Sequence, residues 1–69
     1  MVITINNILE DIKTDKEIIT IADLLVQKSY SYKMLIVRVN DVFISKEKYS
    51  TTTIKNGDNV QVIHLMTGG

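Results

Sequence analysis

Asn56-Gly57-Asp58-Asn59-Val60-Gln61-Val62-Ile63-His64-Leu65-Met66-Thr67-Gly68-Gly69 ends a chain of 69 residues, and its reading decides the fold. Gly57 supplies the positive φ of a turn that Asn56 and Asp58 flank with turn-forming side chains. Beyond it the pattern has a period of two, which belongs to a strand from about Asn59 to Met66. Val60, Val62 and His64 share one face, with Val60 and Val62 as the core pair. Gln61, Ile63 and Leu65 share the other. Ile63, Leu65 and Met66 therefore form an apolar surface beside Thr67-Gly68-Gly69, where the hydrophobic pattern stops.

Upstream, the other elements can be read outward from this strand. Leu35-Ile36-Val37-Arg38-Val39-Asn40 is the cleanest strand signal, with Leu35, Val37 and Val39 toward a core and Arg38 away from it, near the middle of a sheet. Asn40-Asp41 turns the chain into a short strand, Val42-Phe43-Ile44. Ser45-Lys46-Glu47-Lys48 then reads as a capped single helical turn ending near Tyr49. Ser50-Thr51-Thr52-Thr53 reads as loop or ragged edge, anchored by Ile54. At the other end, Met1, Ile3 and Ile5 alternate with polar or outward positions. Asn6-Asn7, both tolerant of positive φ, reverse the chain into a second strand from roughly Ile8 to Lys13, with room for a bulge. Two capping signatures compete, Thr14-Asp15-Lys16-Glu17 and Thr20-Ile21-Ala22-Asp23; the second starts the better helix, since from Thr20 Ile21, Leu24, Leu25 and Lys28 make one stripe with Asp23 and Gln27 outside. Ile18 and Ile19 are the entry to that helix, and Ser29 to Tyr32 a loop.

Composition limits the function classes. A chain of 69 residues makes one small domain, and with 45% hydrophobic and 23% charged residues it is too apolar for disorder. Its apolar runs are too interrupted for a membrane span. Eight Lys+Arg balance eight Asp+Glu and are spread along the chain, which argues against a nucleic-acid surface. Over positions 56–69 the one formal side-chain charge is Asp58, so a partner meeting the tail side makes an apolar contact. No basic leader or small-residue cleavage site is present at the N-terminus, and a cytoplasmic protein is expected.

With no cysteine and a single histidine, the sequence holds no triad, thiolate metal site or catalytic thiol, and no phosphate-binding glycine loop is present. No metal site and no autonomous catalytic site are expected. His64 reads as structural, and Tyr30, Tyr32 and Tyr49 as packing residues with wet hydroxyls.

The order strand, strand, helix, strand, short strand, last strand and glycine pair resembles the ubiquitin-like β-grasp. Val39-Asn40-Asp41-Val42-Phe43-Ile44, the Asn56 to Val62 segment, the Thr20 to Leu25 helix start and Met66-Thr67-Gly68-Gly69 together resemble the ThiS family, the sulfur carriers of thiazole (thiamine) biosynthesis. The chain departs from that family's usual pattern at Asp41, where glycine is common, and at Ser45-Lys46, where proline and arginine are common. The resemblance implies an α+β fold, with a mixed sheet of four to five strands packed on one main helix. Residues 1–66 would form the β-grasp domain and residues 67–69 a flexible reactive tail.

The resemblance further implies that a partner enzyme uses ATP and Mg to adenylate the Gly69 carboxylate. A sulfur donor system then converts it to a thiocarboxylate, which delivers sulfur to thiazole synthase. The chain would bind no cofactor itself, would be a monomer alone, and would act as a cosubstrate rather than an enzyme. Gly69 is then the reactive site, Gly68 and Thr67 the tail, and Ile63, Leu65 and Met66 the partner's grip. Gly68 and Gly69 lack a Cβ and can thread a narrow channel. Thr67 to Gly69 extend roughly 10 Å. The molybdopterin-synthase small subunit shares the fold and the ending, and a ubiquitin-like modifier conjugated through Gly69 is a further alternative.

Overall fold

The computed structural model describes residues 1–30 and 34–65. Its elements, in chain order, are β1 (Val2–Ile5), β2 (Ile8–Asp11), β3 (Ile18–Thr20), α1 (Ile21–Gln27), β4 (Leu35–Val39), β5 (Val42–Ile44), a 3-10 turn (Lys46–Lys48), β6 (Thr53–Lys55) and β7 (Asn59–His64). Five strands form a mixed sheet in the order β2-β1-β7-β4-β5, and β3 and β6 make a separate two-stranded sheet. The main sheet is antiparallel except where β1 lies parallel to β7.

Both hairpins close with two residues in the left-handed region: Asn6 (φ 53) and Asn7 (φ 67) join β1 to β2, and Asn40 (φ 49) and Asp41 (φ 69) join β4 to β5. This handedness matches the twist of the flanking strands, and Asn and Asp are the non-glycine residues that adopt it most readily. The positive φ at Asp41 is one that glycine adopts freely and aspartate tolerates. Gly57, at φ 91, turns β6 into β7 as expected.

The helix starts where the capping box places it. Thr20 Oγ1 accepts the Asp23 N–H at 3.0 Å, and an Asp23 carboxylate oxygen accepts the Thr20 N–H at 3.2 Å. Ile21, Leu24 and Leu25 are fully buried against Ile3, Ile5, Val37, Val39, Val60 and Val62 of the sheet. Burial of each such aliphatic side chain contributes about 1.5–3 kcal/mol. Lys28 ends the stripe with its ammonium 3.0 Å from Glu10.

Several boundaries differ from the sequence expectation. Ile18 and Ile19 are strand residues rather than a helix entry, and Thr53 belongs to a strand rather than a loop, because Ile19 pairs with Ile54 and both enter the core. The second strand stops at Asp11 instead of Lys13 and has no bulge. The Gln27 side-chain amide takes over the backbone of Lys13, accepting its N–H at 3.0 Å and donating to its carbonyl at 2.8 Å. The Ser45 side chain makes no capping bond; its carbonyl accepts the Lys48 N–H instead. The centre of the sheet is β7, with β4 one step outward. Tyr49 is buried in the core, which raises its phenol above the ordinary 10.0 and contradicts a wet hydroxyl there.

Asp58 does more than make a turn. It is 6% exposed, and its carboxylate accepts the Lys55 N–H at 2.9 Å, the Asn40 side-chain amide at 3.2 Å and the Lys55 ammonium at 3.2 Å. Burial pushes its pKa up, but the bonds from Lys55 and Asn40 outweigh burial and hold it below the ordinary 3.8. A carboxylate with a depressed folded pKa adds stability above its unfolded pKa, and that stability is lost as pH falls through the folded value. Asp58→Ala is expected to lower unfolding free energy by about 1–3 kcal/mol at neutral pH, since it removes the acceptor of the Lys55 N–H and of the Asn40 side-chain amide. Denaturant unfolding from pH 7 to pH 2 checks the linkage: below about pH 4 the unsubstituted chain should lose more stability than Asp58→Asn, which has no carboxylate to protonate.

Candidate functional site

The strand that leads into the tail is fixed from both sides. On one flank it pairs with β4 from Val39↔Val60 to Leu35↔His64, and the Leu65 N–H continues this edge by donating to the Met34 carbonyl at 2.7 Å. On the other flank β1 ends at Ile5, and the Asn6 side chain takes its place. Asn6 Oδ1 accepts the Val62 N–H at 2.9 Å, and Asn6 Nδ2 donates to the Val62 carbonyl at 3.0 Å. A primary amide carries the same donor and acceptor as a peptide group, so it extends the ladder past the point where the main chain has turned away. Among the described residues, the strand pairing on this flank ends at Ile5↔Val60, and the Asn6 bracket carries it to Val62.

The two faces of β7 separate as its alternation requires. Val60 and Val62 are buried under α1, whereas Ile63 and Leu65 are 45% and 46% exposed on the face that carries no helix. Cross-strand neighbours extend this face: Ile36 lies opposite Ile63, and Arg38 lies between Gln61 on β7 and Phe43 on β5. Phe43 is exposed and Ile36 half-buried. An apolar strip thus runs from the sheet edge at Phe43, through Ile36 and Ile63, to Leu65 at the root of the tail. The sequence expectation brought Ile63 and Leu65 to this face. Ile36 and Phe43 were not assigned to it, because their place depends on a register that periodicity within one strand cannot supply.

Met66, Thr67, Gly68 and Gly69 lie outside the described residues, as does Tyr32. His64 packs its ring edge-to-face against Tyr30, with centroids 5.8 Å apart, a packing role in keeping with its structural reading. Among the described residues, no three His, Cys, Asp or Glu side chains are grouped to hold a metal ion, and no helix is long and apolar enough to cross a membrane. An open cleft of about 440 Å³ is lined by Lys13, Thr14, Lys16, Ile19, Asp23, Val26 and Gln27. It lies on the helix side, away from the apolar strip, and Asp23 and Gln27 already serve the helix cap and the Lys13 backbone.

Chemically, this arrangement offers a rigid strand with an apolar outer face that passes directly into a short glycine-ended segment.

The ThiS family model matches residues 3–69. The sulfur carrier protein ThiS of Bacillus subtilis (strain 168) is 33% identical over 60 residues, which cover 87% of this chain and 91% of that protein. Among solved structures, the crystal structure of the thiamine biosynthesis protein ThiS from Geobacter metallireducens superposes with a TM-score of 0.85 at 26% identity, covering all of both chains. The NMR solution structure of a thiamine biosynthesis protein from the same organism gives a TM-score of 0.82 at 26% identity, over all of this chain and 88% of that one. The β-grasp architecture, the sequence match over nearly the full length and the strand that presents the glycine-ended segment agree: the chain belongs to the ThiS family of sulfur carrier proteins.

Proposed function

We propose that this chain carries sulfur for the thiazole of thiamine as a thiocarboxylate on Gly69. The observation that carries the reading is the exposed Ile63–Leu65 pair on a strand clamped by Asn6 and β4, because it gives a partner a firm hold immediately before the reacting terminus. A carboxylate is a poor electrophile until one oxygen becomes a good leaving group. In the activating enzyme a Gly69 oxygen attacks the α-phosphorus of ATP, with Mg on the phosphates, and pyrophosphate departs. A hydrosulfide-level sulfur from the donor system then adds to the acyl carbon, AMP leaves, and the thiocarboxylate passes its sulfur to thiazole synthase.

The residues of this chain have division of labour in that sequence. Gly68 and Thr67 thread the channel, Gly69 reacts, and Ile63, Leu65 and Met66 dock at its mouth, where apolar burial provides affinity without needing a matching charge. The domain contributes position, and the partner contributes catalysis.

Mass spectrometry of the chain incubated with its adenylating enzyme, ATP, Mg and a sulfur donor should show one oxygen exchanged for sulfur at Gly69. Exchange that survives deletion of Gly69 would sink this reading. Ile63→Asp and Leu65→Asp, on exposed positions, should change unfolding free energy by less than about 1 kcal/mol. Each should nevertheless raise the KM for the carrier in adenylation about tenfold, the cost of truncating a contact that anchors an interface.

A further inference from the structure

We propose that Arg38 is the contact by which this carrier selects its activating enzyme, through a carboxylate that the enzyme presents within an otherwise apolar docking surface. The inference rests on the sulfur-carrier reading above and adds the chemistry of the partner's surface to it.

Arg38 stands in the middle of the helix-free face. Its partners across the sheet are Gln61 and Phe43, and the next residue on its own face is Ile36, which opposes Ile63. The ion pairs among the described residues join the N-terminus to Asp11, Lys28 to Glu10 and Lys55 to Asp58, so Arg38 has no acidic partner within this set. The Arg38 residue is exposed, and its cross-strand partners Gln61 and Phe43 are uncharged.

A partner that covers Ile36, Ile63 and Leu65 must also cover or skirt Arg38. Burying an unpaired guanidinium is strongly unfavourable, whereas a carboxylate aimed at it forms a bidentate, charge-assisted pair with fixed geometry. An apolar strip supplies adhesion to many surfaces, but one embedded cation rejects those that lack an anion at the matching point or carry a cation there. The alternative is that Arg38 lies at the rim and keeps its head in water, in which case its charge would have little effect on docking.

The two cases separate in steady-state adenylation, read as ATP–pyrophosphate exchange against carrier concentration, using the full chain and the adenylating enzyme encoded by the same genome. Arg38→Glu should raise KM at least about tenfold with kcat unchanged, Arg38→Gln should raise it less, and Arg38→Lys should recover most of the affinity. The rise of KM with salt should flatten in Arg38→Gln. Thermal unfolding of the same variants should match the unsubstituted chain, because the side chain is exposed. If Arg38→Glu stays within about twofold of the unsubstituted KM at low salt, the pairing is wrong while the carrier reading stands. If the unsubstituted chain supports no exchange, the carrier reading fails and this proposal fails with it.

Discussion

The pairing of the first strand with the last is the constraint on which the rest of the structure depends. Only Thr4↔Asn59 and Ile5↔Val60 are in parallel register, yet the seam is longer than that, because asparagine side chains extend it at both ends. At one end Asn56 Oδ1 accepts the Val2 N–H at 2.8 Å, and the Gly57 N–H donates to the Val2 carbonyl at 2.8 Å. In the middle Thr4 donates to Asp58 and Asn6 to Val60 through their backbones. At the other end the Asn6 amide brackets Val62. This seam places β7 in the centre of the sheet, commits Val60 and Val62 to the helix side, and so leaves Ile63 and Leu65 on the open side.

The buried turn contacts and the exposed apolar pair thereby sit at opposite ends of one strand. Asp58 and Asn40 tie the β6–β7 turn to the β4–β5 turn where β7 begins, with Asn59 donating its N–H to Asn40 Oδ1 at 2.9 Å. Where β7 finishes, it is held by the Asn6 bracket, the β4 ladder through Leu35↔His64, the Leu65–Met34 bond and the Tyr30–His64 ring contact. The proposed sulfur-carrier role would use this polarity: an anchored base at one end of the strand, and an exposed apolar face at the other.

Much of this was legible in the sequence because it rests on local chemistry. The capping box at Thr20, the Asn-Asn and Asn-Asp turns and the Val60/Val62 against Ile63/Leu65 alternation are each decided by neighbours a few residues apart. The β3–β6 pair escaped because three-residue strands with one core residue each, Ile19 and Ile54, show no period. Asp58 reads as an ordinary turn residue in sequence because its partner Asn40 is distant, and the membership of Ile36 and Phe43 in the apolar strip required the cross-strand register. The proposed reactive end, Met66 to Gly69, rests on residue type alone, and the described residues stop just before it.

Docking through the helix-free face, next to a reacting Gly69, is the central claim, and an NMR titration of the isotope-labelled chain with its adenylating enzyme tests it most directly. Backbone amides of Ile36, Arg38, Phe43, Gln61, Ile63 and Leu65 are expected to shift or broaden first, while those of Asp23, Val26 and Gln27 on the helix side stay unchanged. Perturbation centred on the helix, with β4, β5 and β7 unaffected, would contradict it.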